Sequence, residues 1–431
     1  MLSFRWIWKL RLLSRNVSVR AALYGFAGLV AALIGVVFAP YVPDGLAELL
    51  GGEAVRQVLT VLASSMLAVV TFSMSTLISA YAIVAGSAPP RATSLVIEDA
   101  HAQSALSTFL GSFIFSILSL VALTTGYYGP KGRVILFLNT LLILVSVIWT
   151  IVRWIGQLSG FSRLSVIIAK VEAEAEKSIE NCAGRFEWSV GGFPTDPVSD
   201  GGRVTADATG FVQTFDLKTL ACIAETVGAN FYVSCLPGAF VQSDAELVRS
   251  DRAVDEETAK KIRESFVIGE KRTFIDDPQF GFIALSEIGS RALSPAINDP
   301  GTAIHVLGCL VRLLHRARTV GPSASEPSTR LRVRRITATE LFDDAFRAIG
   351  RDGAALLEVG VFLQKALRGL AERTEFREAA EVLAANLRQR SRHAMTDPED
   401  KKRIDAAFGS RPAPAGKTER AARENPGRPV H

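Results

Sequence analysis

Two long runs without a charged residue, 57–90 and 102–130, are separated only by RATSLVIEDAH and constrain the chain more than any other feature. At about 1.5 Å of rise per residue, each is longer than the roughly 20 residues that cross a bilayer. Both are therefore expected to span one. Residues 21–43 form an earlier uncharged run, and residues 134–152 a later one that ends at Arg153 and Trp154, an interfacial cation and aromatic pair.

The 431 residues are 48% hydrophobic and 21% charged, too apolar for an ordinary soluble enzyme and too polar for a chain held wholly in lipid. The apolar runs crowd before about residue 155 and the charges follow it. The sequence thus predicts an α-helical membrane protein with four transmembrane helices, followed by an α+β, mostly helical cytosolic domain. The expected boundaries are a basic cytoplasmic N-terminus at 1–20 and a membrane block at 21–155, with spans at about 21–43, 57–88, 104–127 and 134–153. An amphipathic connector helix at 161–190, a cytosolic α+β domain at 200–408 and a disordered tail at 409–431 complete the expectation.

Arg5, Lys9, Arg11, Arg15 and Arg20 precede the first run, and a second basic cluster lies in the C-terminal tail. By the positive-inside bias this places both termini in the cytoplasm of a multi-pass protein of the cell's inner membrane, with the lipid bilayer as its first partner. The basic excess is terminal and forms no stripe for nucleic acid, so none is expected as a partner. Cys182, Cys222, Cys235 and Cys309 are widely spaced and are expected to be buried thiols of a reducing compartment, with no metal site.

In the second span Ser64, Thr71, Ser75 and Ser79 fall on one helical face. In the third, Ser104, Thr108, Ser112 and Ser116 follow strict i, i+4 spacing. Two facing stripes are expected, and they admit two readings. Small residues let helices approach closely and hydroxyls bond across or back to the backbone. Alternatively, the stripes of several subunits in a homo-oligomer line a polar path for a small ion or ligand. No Asp, Glu, Lys, Arg or His lies in the four spans, which disfavours proton relays and ion-coupled pumping.

Beyond residue 160 the pattern predicts the connector helix, then strands at GRVTAD, TGFVQTF, NFYVSCL and AFVQ around a helix capped by Asp216 and stopped by Gly228. From Asp255 to Arg272 a helix is expected, then helices at FGFIALSEIGSRAL and GTAIHVLGCLVRLLHRAR on either side of SPAINDP. A strand at LRVRRIT and three more helices follow. Within SPAINDP, Pro295 ends one helix while Asp299 and Pro300 start the next as N-cap and first helical residue. The motif is either a rigid corner, or a place where Ser294, Asn298, Asp299 and Thr302 converge on an ion or small anion. No catalytic residues and no cofactor are expected, because no His, Cys or Lys stands in the motif.

The run DPQFGFIALSEIGSRALSPAINDPGTA, with TGFVQTFD, LPGAFV and the Pro90–Arg91 pair, resembles a bacterial predicted membrane protein family, domain of unknown function 2254. The resemblance extends from the first span to about residue 390. It implies four spans before a cytosolic domain and no established reaction. Gly301 stands where relatives commonly carry an aromatic, and Ser243–Asp244 where a glycine-containing turn is usual. Two functions follow as expectations: an oligomeric channel-like or passive pathway regulated by its cytosolic domain, or a membrane-tethered ligand sensor or scaffold whose helices only anchor it.

Overall fold

The computed structural model describes residues 52–87, 89–97, 100–126, 129–158, 163–183, 186–187, 201–320 and 330–409, with Phe26 and Val30 as isolated helical positions. The first expected span, the linker at 188–200, the linker at 321–329 and the tail beyond residue 409 lie outside them. The chain divides into two compact units, one of Met1–Asn181, Asp196–Ala284 and Ala324–Arg334, the other of Cys182–Thr195, Leu285–Ser323 and Arg335–His431.

Among the described residues, three helices are long and apolar enough to cross a membrane. They are α1 (Gly52–Ser87), α3 (Ala100–Thr124) and α4 (Pro130–Leu158). The 36 residues of α1 form one continuous helix, about 54 Å long at about 1.5 Å per residue, which exceeds roughly 30 Å of hydrocarbon. It stops before Pro89 and Pro90, as a missing N–H and a fixed φ require. Pro90 then opens a short helix, α2 (Pro90–Ile97), within the segment between the runs.

Helix α1 packs along α3, and both touch α4. The buried side of α1 carries Val55, Leu59, Leu62, Met66, Ser73, Leu77, Ala80 and Val84, spaced by three, four or, between Met66 and Ser73, seven residues, as helix packing dictates. Helix α3 is the most enclosed: Phe109 and Phe115 are fully buried, and its stretch from Ala102 to Ser119 turns mostly inward. The opposite face of α4 bears Leu138, Leu142, Val145, Trp149 and Val152, all more than half exposed, which is the surface that hydrocarbon would cover.

The connector appears as α5 (Leu164–Asn181), shorter than the 161–190 expected. Its buried stripe, Ile167, Ile168, Val171, Ala175, Ser178 and Ile179, is the apolar face of the amphipathic pattern. The first unit also holds two sheets. One has order β2–β6–β4–β8, from Arg203–Thr205, Glu246–Ser250, Phe231–Val233 and Leu331–Val333. The other has order β5–β3–β7, from Phe240–Val241, Gly210–Phe215 and Phe266–Gly269. Helices α6 (Leu217–Val227) and α7 (Glu256–Glu264) complete this module, whose core includes Val212, Leu220, Phe231, Leu247, Ile262 and Phe266. Asp216 caps α6 by accepting from the amides of Lys218 and Thr219, and Gly228 ends it at φ 68°, as the sequence indicated.

The helix expected over 255–272 is corrected. It ends at Glu264 with Ser265 as cap, and FVIG becomes β7, antiparallel to β3, because its apolar β-formers complete a sheet core that local helical spacing could not reveal. Strand β6 at ELVRS was likewise not expected. Of the cysteines, Cys182 and Cys309 are buried, but Cys222 is exposed on α6, contrary to the expectation that all four would be buried.

The second unit pairs β1 (Phe186–Glu187) with β9 (Ile336–Thr337) in parallel and is otherwise helical. It contains α9 (Pro300–Thr319), α10 (Ala338–Asp352), α11 (Leu357–Ala371), α12 (Arg377–Ala394) and α13 (Pro398–Gly409), the last beyond the helices expected from sequence. Helix α8 (Pro278–Ala292) has its first half in one unit and its second half in the other. Buried Phe342, Phe346 and Phe376 form the aromatic centre of the second unit. Thr337 and Glu340 close a reciprocal capping box at the start of α10.

Close backbone approach sets one sensitive position. A Cβ on Gly281 would lie 2.3 Å from Cβ of Ala175, where α8 crosses α5. Gly281→Leu is therefore expected to cost about 1–3 kcal/mol through overpacking, read as a lowered thermal midpoint of the full chain in nanodiscs. Gly369→Leu, with nothing near its Cβ, should shift the midpoint far less.

Candidate functional site

The third-span stripe lies inside the helix packing. Ser112 and Ser116 are buried and Ser104 and Thr108 half-buried, and the hydroxyls donate down their own helix. Thr108 Oγ1 reaches the Ser104 carbonyl at 2.9 Å, Ser112 Oγ that of Thr108 at 2.7 Å, and Ser116 Oγ that of Ser112 at 2.8 Å. The second-span stripe does not face it, which corrects the expectation of two facing stripes. Ser64, Thr71, Ser75 and Ser79 are all exposed on the outer side of α1, and the hydroxyl that α1 turns inward is Ser73. The outer hydroxyls also bond backwards: Ser64 to the carbonyl of Val61, Thr71 to those of Leu67 and Ala68, and Ser79 to that of Ser75.

The SPAINDP segment forms a closed corner. Asp299 Oδ1 accepts from the Thr302 amide at 3.0 Å, its Oδ2 from Thr302 Oγ1 at 2.6 Å, and its own amide donates to the Ala292 carbonyl at 2.8 Å. The Thr302 hydroxyl and amide together hold the Asp299 carboxyl below its ordinary value. Asn298 makes the turn at φ 48°, a left-handed conformation that asparagine tolerates better than most residues, and its amide donates to the Ser294 carbonyl at 2.9 Å. Of the four residues singled out here, Asp299 and Thr302 are thus joined to each other, Ser294 serves through its carbonyl, and the Asn298 side chain is exposed. On the helix that follows, His305 is exposed and Cys309 is buried.

A denser polar assembly lies where three of the sequence motifs meet. Asp277 of the DPQFGF run is 1% exposed and takes two hydrogen bonds from Arg272, Nε to Oδ2 at 2.7 Å and Nη2 to Oδ1 at 2.9 Å. The Phe280 amide adds a third bond at 3.1 Å, and the Arg272 guanidinium lies 5.1 Å from the Phe280 ring centre. Burial pushes the Asp277 carboxyl up, and its bonds to Arg272 pull the other way. Next to it, Thr214 of TGFVQTFD donates to Asp276 Oδ2 at 2.6 Å. Gly238 of LPGAFV, at φ 92°, passes so close that a Cβ there would lie 2.4 Å from Asp277 Oδ2. Asn181, at the end of α5, donates to the Ile275 carbonyl at 2.9 Å. The assembly therefore clamps the connector helix, the small β-module and the start of α8. Sequence reasoning missed it; the Asp276–Asp277 doublet inside the otherwise apolar stretch FIDDPQF was the available signal.

In the second unit a groove of about 660 Å³ runs beside α12. It is lined by Arg347 of α10 and by Leu383, Asn386, Leu387, Gln389, Arg390, His393 and Ala394 of α12. Nearby, Asp352 accepts from Ser290 and takes two bonds from Arg351, at 2.6 and 2.8 Å, and the Arg351 hydrogen bonds lead in holding its carboxyl below the ordinary value.

Long apolar helices joined to a helical and sheet-bearing remainder define a membrane protein. The chain belongs to the family described as "Predicted membrane protein", domain of unknown function 2254, whose model matches residues 14–369. Among curated proteins it is similar to an uncharacterized protein of Mycobacterium bovis and to one of Mycobacterium tuberculosis. Each is 32% identical over 123 residues, 26% of this chain and 23% of the relative. The match thus spans about a quarter of those relatives' length. No solved structure matches.

Two outcomes are expected. Arg272→Met or Asp277→Asn alone should cost about 3–5 kcal/mol by leaving a buried polar group without its charged partner, and the double substitution should restore part of that loss. Thermal unfolding of the four forms measures the coupling. Asp352 has a depressed folded value, so its contribution is present above the ordinary carboxylate value of 3.8 and is lost as pH falls through the lower folded value. Asp352→Asn should flatten the decline of the thermal midpoint in that acid range.

Proposed function

We propose that the chain is a membrane-tethered receptor or scaffold. Its helices hold it in the cell's inner membrane with both termini in the cytoplasm, and residues 200–408 receive a ligand or partner there. The observation that carries this reading is the buried hydroxyl ladder of α3. Thr108, Ser112 and Ser116 spend their hydroxyls on the helix's own carbonyls, as an anchoring bundle requires, while Ser107 and Ser119 are buried in the packing without a hydrogen-bond partner among the described residues. Residues 57–86, 102–124 and 134–152 carry no Asp, Glu, Lys, Arg or His that would move a proton or bind a coupled ion.

A second reading, an oligomeric passive pathway, is favoured by one observation. Ser64, Thr71, Ser75 and Ser79 face outward on α1 between exposed Leu67, Phe72 and Ile78, where a homo-oligomer would bring copies of the stripe together. Ser112→Leu cannot test it cleanly, since Ser112 is 5% exposed and the larger side chain would disturb the packing. Ser75→Leu, on the exposed face, can.

The full chain in nanodiscs is expected to gain thermal stability from at least one member of a panel of cytosolic metabolites, by about 2.7 kcal/mol at a hundred times its Kd. Liposomes carrying it should leak ions no faster than empty ones. Absence of any stabilising metabolite contradicts the tether reading. A flux that Ser75→Leu abolishes establishes the second.

A further inference from the structure

We infer that the groove beside α12 is a binding site for a small organic anion, a phosphate or carboxylate group carried on an apolar body. The inference rests on the receptor reading above and names the ligand class. Residues 383, 387, 390 and 394 recur at helical spacing along α12, with 386, 389 and 393 beside them, so one face of one helix presents both halves of such a site. Leu383 and Leu387 form the apolar floor, each about 95% buried. The floor is firm because α10 comes close enough at Gly350 that a Cβ there would lie 2.7 Å from both terminal methyls of Leu387.

The rim is cationic and rich in donors. Arg347 is held in place by two-point bonding to Asp343, with its side chain 66% exposed. Arg390 is exposed and, among the described residues, makes neither an ion pair within contact distance nor a side-chain hydrogen bond of its own; its charge helps to hold the nearby Asp352 carboxyl down, and its guanidinium fork keeps its donors for an acid group. His393 Nδ1 lies 2.8 Å from the Gln389 carbonyl. Only an N–H can face a carbonyl, so the Nδ1 proton is spent on the helix's own backbone and Nε2, an acceptor in the neutral ring, adds no donor for an anion. Asn386 and Gln389 add amide groups. A volume of about 660 Å³ lies within the roughly 300–1,000 Å³ usual for small-molecule sites, and the split between an apolar floor and a cationic rim matches an amphiphilic anion.

The test uses the full chain in phosphatidylcholine nanodiscs and calorimetric titration with phenyl phosphate, benzoate and inorganic phosphate. Saturable binding of phenyl phosphate or benzoate is expected, weakened about tenfold or more by Arg390→Ala and further by Arg390→Glu. Lys365→Glu, an equal charge change at an exposed position of α11, should leave it unchanged. The thermal midpoint of Arg390→Ala, expected to stay close to wild type because the residue is exposed, separates lost binding from lost folding. Binding that ignores both Arg390 variants, or inorganic phosphate binding as tightly as phenyl phosphate, overturns the proposal. If neither organic anion binds while a metabolite stabilises wild type and Arg390→Glu alike, the groove assignment falls and the receptor reading stands. If no metabolite stabilises the chain at all, the receptor reading is what has failed.

Discussion

Hydrocarbon supplies no hydrogen-bonding partner, and that constraint shapes the first third of the described chain. The backbone meets it by staying helical over 36, 25 and 29 residues in α1, α3 and α4. Thr108, Ser112 and Ser116 in α3 and Ser64, Thr71 and Ser79 in α1 meet it by bonding to carbonyls a turn earlier, whereas buried Ser107 and Ser119 do not. Serine and threonine are thus affordable in these helices without any aqueous path. The small volume of Ser112 and Ser116 is what permits the close approach of neighbouring helices.

Away from the apolar helices, the corresponding fixed point is the Arg272–Asp277 pair. A carboxylate almost wholly withdrawn from water is tolerable only with several donors aimed at it, and here two come from one guanidinium and one from a backbone amide. Gly238 is required because any side chain would occupy the space of that carboxylate. The connector helix is tied to the same segment through Asn181 and through the contact of Gly281 with Ala175. A change at the pair would accordingly be felt by the connector, the β-module and α8 together.

Much of this architecture was legible in the sequence, for reasons that differ by element. The apolar helices follow from length and absence of charge; α6 follows from Asp216 and Gly228; the corner at SPAINDP follows from the two prolines and the capping Asp299. The turn at Ser243–Asp244 is built with Asp244 at φ 72°, so an aspartate takes the left-handed position that suits glycine. What local pattern could not reveal was long-range. FVIG is a strand only because β3 lies beside it, ELVRS only because β4 does. Hydroxyl spacing gave the stripe on each helix, but which stripe faces inward depends on neighbours that spacing does not specify. The Arg272–Asp277 pair and the α12 groove depend on segments brought together by the fold.

The central claim is that the outer face of α4 lies in lipid while the hydroxyl ladder of α3 is shielded. A lipid-soluble photoreactive carbene probe, applied to native membranes and mapped by peptide mass spectrometry, tests it most directly. Labelling of Leu142, Val145, Trp149 and Val152, with Ser112 and Ser116 spared, is the predicted result. Modification of that α4 face by a water-soluble carbene instead, with the chain released from membranes by alkaline carbonate, would contradict it.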